Sequence, residues 1–146
     1  MIMASHLWLI FALLSALTAA LVAIFGKVGL KDIDTNTATA VRAIIMAAFL
    51  IGVIALQGKI TQISSVISNR EAFTFIVLSG IAGALSWLFY FLALKYGQVS
   101  QVAPIDRLSV VFAIVLAVLF LGEKISLQAG IGVALIAVGA IMIALG

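Results

Sequence analysis

Arg42, Asp106 and Arg107 stand as isolated charges within long apolar stretches of this 146-residue sequence. A guanidinium offers planar, paired N–H donors to a carboxylate or phosphate, and a carboxyl can carry a proton when burial raises its pKa. The chemistry open to these three is therefore ion pairing, anion binding or proton coupling. Arg107 beside Asp106 favours the ionised carboxylate and so opposes the last of these. Ser86, Trp87 and Tyr90 fall within about one helical turn, and Ser86 and Tyr90, four apart, share a face. An aromatic wall beside a hydroxyl can hold an organic solute, although the run Trp87, Phe89, Tyr90, Phe91 equally suits lipid-facing or core filling. Pro104, just upstream of Asp106, removes a backbone donor and pushes Ala103 away from helical geometry. It fits either the first turn of a helix or an interruption of the kind that lines transport sites.

The elements that carry these residues are apolar helices. Hydrophobic residues make up 66% of the chain and charged ones 9%, against roughly 25% charged in a soluble domain. Five stretches of about twenty residues, nearly free of charge, each suffice to cross a hydrocarbon core about 30 Å thick. Charges and turn residues place them at about residues 7–25, 37–56, 72–94, 102–121 and 127–145. The reading is an all-α, multi-pass integral membrane protein of one domain over residues 1–146, with the lipid bilayer as its principal partner. Gln57 to Glu71 forms the longest connection, where Ile60, Ile63 and Ile67 recur at helical spacing among polar neighbours. That pattern fits a short helix lying in the interface, or a plain connector.

Three function classes lose their support. The net charge of +3 is scattered over loops and helix ends rather than gathered into a basic stripe, so no nucleic-acid partner is expected. Without cysteine there is no disulfide, thiolate nucleophile or Cys-based metal site. The single histidine, His6, precedes the first span, and no catalytic motif accompanies it, so neither an enzyme, a metal centre nor a cofactor is expected.

Depth suggests a pairing. Arg42 lies one to two turns into the second span and Asp106 and Arg107 at similar depth in the fourth, both helices starting from the same membrane face. Neighbours on a helix point about 100° apart, so Asp106 is the better partner for Arg42, leaving Arg107 to attract an anionic or zwitterionic solute. The ion pair is either a structural tie or the polar floor of a cavity. Small residues suggest seams: Ala12, Ala16 and Ala20 on the first span, Gly80 and Ala84 on the third, and Gly130, Ala134 and Ala137 on the fifth. Trp8 and Tyr96 suit the interfacial belts.

An odd number of spans puts the termini on opposite faces. Lys59, Arg70 and Lys124 then share one face and Lys27, Lys31 and Lys95 the other. Balanced charges fit a chain that inserts both ways and pairs as an antiparallel dimer; a single orientation set by Arg42, Arg107 or a partner is the alternative.

The run from Leu88-Phe89-Tyr90-Phe91 through Lys95-Tyr96-Gly97, then Val102-Ala103-Pro104-Ile105-Asp106-Arg107-Leu108-Ser109, then Gly122-Glu123-Lys124 resembles the EamA family of the drug/metabolite transporter superfamily. The resemblance spans the chain as one repeat of five helices, in its short, single-repeat branch. It implies a secondary transporter or exporter of a small metabolite, amino acid or drug in the cell (cytoplasmic) membrane, working by alternating access. It also implies a second copy, as homodimer or paired homologous half, because typical members hold two inverted repeats. An accessory or structural subunit that packs against a larger partner is the other reading. The substrate-site candidates are Arg42, Ser86, Trp87, Tyr90, Pro104, Asp106 and Arg107.

Overall fold

Each long apolar run forms a helix, and most helix ends fall where a side chain or a left-handed residue satisfies backbone groups that the terminal turns leave open. The computed structural model describes residues 7–146; His6, expected ahead of the first span, lies outside them. The described helices are α1 (Leu7–Gly29), α2 (Thr35–Leu56), α3 (Gln62–Ser68), α4 (Arg70–Tyr96), α5 (Val99–Asp106), α6 (Leu108–Phe120) and α7 (Leu127–Leu145). Helices α1, α2, α4 and α7 are each long and apolar enough to cross a bilayer, as is α5 continued by α6. The shortest, α7, has 19 residues and so reaches about 28 Å. Large apolar side chains such as Phe49, Ile44, Leu119 and Leu135 remain exposed on these helices, the pattern of a surface whose solvent is hydrocarbon. The protein is thus a multi-pass membrane protein, all-helical and with five spans among the described residues.

The ends follow from local chemistry. Asp34 caps α2, its Oδ1 accepting from the Thr37 backbone N–H at 2.8 Å and from Thr37 Oγ1 at 2.8 Å. The Thr37 backbone bond comes first among the interactions that hold the Asp34 carboxyl below its ordinary pKa. Ser126 caps α7 by accepting from Ala129 N–H, and Asn69 caps α4 by accepting from Ala72 N–H. At the other end of α2, Gly58 takes a left-handed φ of 68°. There Lys59 N–H reaches the Ile54 carbonyl and Gly58 N–H the Ala55 carbonyl. These two bonds form a Schellman motif, which glycine enters without a Cβ penalty.

Several bounds differ from those read in the sequence. Helix α1 runs through Gly26 and Lys27 to Gly29, because Lys27 finds a polar partner within the fold and the chain turns only where Asp32 adopts a φ of 62°. Helix α4 starts at Arg70, directly after its Asn69 cap. Between Gly58 and Asn69 the connection forms the short helix α3, and Ile60, Ile63 and Ile67 line an open groove of about 480 Å³ together with Thr61, Ser64 and Ser68.

Residues 29–95 form one unit, holding α2, α3 and α4, and residues 7–28 with 96–146 form the other. In the first, Phe91 and Leu94 of α4 are buried, and so are Thr35 and Thr39 of α2. The Thr39 hydroxyl donates to the Thr35 carbonyl at 2.7 Å, so its burial leaves no unpaired donor. In the second, α7 packs against both α5 and α6, and Ala140 is its buried residue. The alanine row Ala12, Ala16, Ala20 expected to form a seam on α1 is almost wholly exposed in the single chain. The covered face of α1 instead runs through Ala23 and the half-buried Gly26 and Lys27. Lys27 Nζ donates to the Gly97 carbonyl there at 2.8 Å, fastening this face to the turn that enters α5.

Candidate substrate site

The fourth span is interrupted at the depth of its charges. Gln98 and Gln101 form a capping box that starts α5 at Val99, three residues before the expected Val102. Pro104 is therefore the sixth residue of its helix, not part of the first turn, and of its two expected placements the interruption is the one found. Proline cannot donate to the carbonyl four residues back and crowds it, which weakens the ladder at this turn. Two residues later α5 ends, and Arg107 N–H divides between the Ala103 carbonyl at 3.3 Å and the Pro104 carbonyl at 3.1 Å before α6 begins at Leu108. Pro104 and Asp106 are half-buried and Arg107 is exposed in the single chain.

In the unit of residues 29–95, Arg42 is the eighth residue of α2, about 10 Å from its start. Trp87 lies nine residues before the end of α4, about 13 Å in from the same membrane face because the two spans run in opposite directions. The two meet at this matched depth. The Arg42 Cζ stands 3.6 Å from the Trp87 ring centroid and 5.5 Å from that of Phe91. At 3.6 Å the guanidinium carbon is in van der Waals contact with the ring face, the separation of a stacked pair. A desolvated cation–π contact contributes about 2 kcal/mol, a large part of the roughly 2.5–3.5 kcal/mol that inserting the charge costs.

The aromatic group is itself ordered by helical spacing. Trp87 contacts Tyr90 three residues on and Phe91 four residues on, with centroids 5.6 Å and 5.8 Å apart at 85° and 82°. Both are edge-to-face arrangements, in which positive ring edges meet the negative indole face or the converse. Tyr90 and Phe91 lie 6.4 Å apart at 40°. Phe91 is only 3% exposed and anchors the cluster, whereas Ser86, on the same helix, is exposed.

Of the seven candidates, Arg42, Trp87 and Tyr90 are thus brought together in one cluster. Ser86 stands on the same unit outside it, and Pro104, Asp106 and Arg107 share the interrupted span of the other unit. Phe91 is a member of the cluster that the sequence alone does not single out. Its spacing of four from Trp87 was the available signal, obscured because aromatic residues in a lipid-facing helix carry the same spacing.

Residues 6–145 match the family model described as the EamA-like transporter family. The chain is 44% identical over 140 residues to an "uncharacterized transporter in cobO 3'region" of a Sinorhizobium species, covering 96% of this chain and 98% of the relative. An uncharacterized protein of Methanocaldococcus jannaschii is 28% identical over 80 residues, 55% of this chain and 58% of its own length. No solved structure matches the chain.

Proposed function

Because this chain belongs to the EamA-like transporter family, we propose that it is one half of a dimeric secondary transporter in the cell membrane, moving a small organic solute by alternating access. That it is a membrane transporter follows from the family and from five spans, with support from a relative of nearly the same length that is named as a transporter. The observation that carries the finer reading is the Arg42–Trp87 contact, a cation held by an aromatic face inside a span. A charge kept at that depth is costly, and charges retained there commonly mark solute or ion pathways.

Two further features support the mechanism. Pro104 lies inside α5 and cannot donate to the Ser100 carbonyl, which weakens the fourth span at membrane depth, a feature of helices that line solute sites in other transporters. The exposed rows Ala12, Ala16, Ala20 and Gly80, Ala84 offer close-approach surfaces to a second copy, and the balanced loop charges permit that copy to be inverted. The residues proposed to meet solute are Arg42, Ser86, Trp87 and Tyr90 of the unit of residues 29–95 and Pro104, Asp106 and Arg107 of the other unit.

The test is orientation and flux together. Single cysteines at Lys31 and Lys59, in a chain without native cysteine, are labelled from outside intact cells and crosslinked, and purified protein is assayed for solute counterflow in vesicles. Labelling of both positions, antiparallel crosslinks and counterflow support the dimeric transporter. One labelled position and no self-crosslink remove the inverted dimer, and absence of counterflow across a broad metabolite panel removes the transport mechanism.

A further inference from the structure

We propose that the Arg42 cluster binds a small organic monocarboxylate with an apolar body, its carboxylate on the guanidinium edge and its body against the rings of Trp87 and Tyr90. This names the cargo of the transporter proposed above and rests on that reading.

The charge inventory of residues 29–95 leads to an anion. Their acidic residues are Asp32, Asp34 and Glu71, and their other basic residues Lys31, Lys59, Arg70 and Lys95, all in loops or at the extreme turns of α2 and α4. Arg42 is therefore the one charge that this unit carries within a span, and what opposes it across the ring is a quadrupole, not a countercharge. A guanidinium stacked on an indole face keeps its edge, paired N–H donors in one plane, matched to the two oxygens of a carboxylate. Charge balance favours a single negative charge, since a phosphate dianion would bring a second charge that this unit's span does not neutralise. The remainder of the cluster is aromatic: Trp87 meets Tyr90 and the buried Phe91 edge to face. A solute that satisfied Arg42 and desolvated these rings would carry its charge at one end and apolar surface at the other.

Trp87 reports on its own site. The chain has two tryptophans, so Trp8→Phe leaves Trp87 as the sole tryptophan, in contact with Arg42 and excited selectively at the red edge of the absorption band. The Trp8→Phe chain in lipid nanodiscs is titrated with N-acetylleucine and cyclohexanecarboxylate, then with their neutral matches N-acetylleucinamide and cyclohexanecarboxamide. The expected result is a saturable emission change for the carboxylates, with binding about ten- to a hundredfold tighter than for the amides, the equivalent of one hydrogen bond to a charged group. Arg42→Lys, which keeps the charge and loses the paired donors, weakens the response, and Arg42→Gln abolishes it, with far-ultraviolet circular dichroism confirming the helices in each. No saturable response to either carboxylate, or equal binding of the amides, overturns the proposal and makes Arg42 a fixed structural charge. Flux of labelled N-acetylleucine into vesicles separates the two readings. Binding without flux sinks the transport mechanism and leaves the site, while counterflow of some other solute without carboxylate binding leaves the transporter and sinks the site.

Discussion

Lys27 Nζ donates to the backbone carbonyl of Gly97 at 2.8 Å, seventy residues along the chain. The bond joins the last turns of α1 to the entry of α5 and explains why α1 continues past Gly26. Lys27→Met keeps the length of the side chain and removes the donor. The expected cost is about 1.5–3 kcal/mol, the range for a hydrogen bond to a charged group, read as a lower unfolding midpoint in detergent, with Lys27→Arg retaining part of it.

The Arg42–Trp87 contact is testable as an energy apart from any ligand. A double-mutant cycle of Arg42→Met and Trp87→Leu is expected to return a coupling of about 1–2 kcal/mol from unfolding in lipid–detergent mixtures. Trp87→Phe keeps a weaker ring and is expected to keep a fraction of it. Additive effects of the two substitutions would mean that Arg42 draws its compensation from elsewhere.

Asp34 gives a pH dependence with a defined sign. Its carboxyl is held below the ordinary value, chiefly by the Thr37 backbone bond. The stability it contributes is therefore fully present above the ordinary carboxylate value of about 4 and is lost as pH falls through the lower folded value. Asp34→Asn, which retains a capping oxygen without the charge, is expected to flatten the acid limb of stability while leaving helicity at neutral pH unchanged.

Most of the architecture was legible in the sequence because it depends on a local quantity. Twenty apolar residues must span a bilayer wherever they sit, so five helices could be counted, and Asp34 and Gly58 are polar or flexible residues at positions that dictate ends. The misread bounds share a cause. Gly26-Lys27 reads as a stop because the Gly97 carbonyl that receives Lys27 is seventy residues away, and Pro104 reads equally well as part of a first turn because Gln98 and Gln101, which start the helix earlier, are uncommon capping residues. For the site, Arg42 and Trp87 were both conspicuous, one as a charge and one as an aromatic. That they face each other depends on the registration of two antiparallel spans, which no local pattern encodes, and the same holds for the burial of Phe91.

Pro104→Ala restores an N–H that can donate to the Ser100 carbonyl and is expected to make α5 and α6 behave as one rod. Amide exchange across residues 100–108 should slow by at least about tenfold, since an interior proline costs about 3 kcal/mol in a regular helix. If the interruption serves transport, the maximal counterflow rate should fall while the half-saturating concentration changes little. Unaltered exchange would show that Arg107, not Pro104, sets the break.

Helix α3 should lie flat at the headgroup level, with Ile60, Ile63 and Ile67 toward the acyl chains. A tryptophan at Ile63, in the Trp8→Phe, Trp87→Phe background, is expected to be quenched most by lipids brominated near the glycerol end of the chain and least by those brominated near the terminal methyl. Quenching that is insensitive to bromine position would leave α3 as a plain aqueous connector.

Among the described residues, the hydrophobic side chains withdrawn from the surface are Ala23, Leu30, Phe91, Leu94 and Ala140, two of them no larger than a methyl group. A chain with so little interior keeps its shape through whatever lies against its outside. Its thermal midpoint will thus be a joint property of protein and surroundings, moving with acyl-chain length, with detergent and, where copies associate, with protein concentration. Solubilisation is itself a perturbation experiment for such a molecule, and a purified sample that has lost function in a micelle has not thereby lost its fold-encoding sequence, only the medium that completed it.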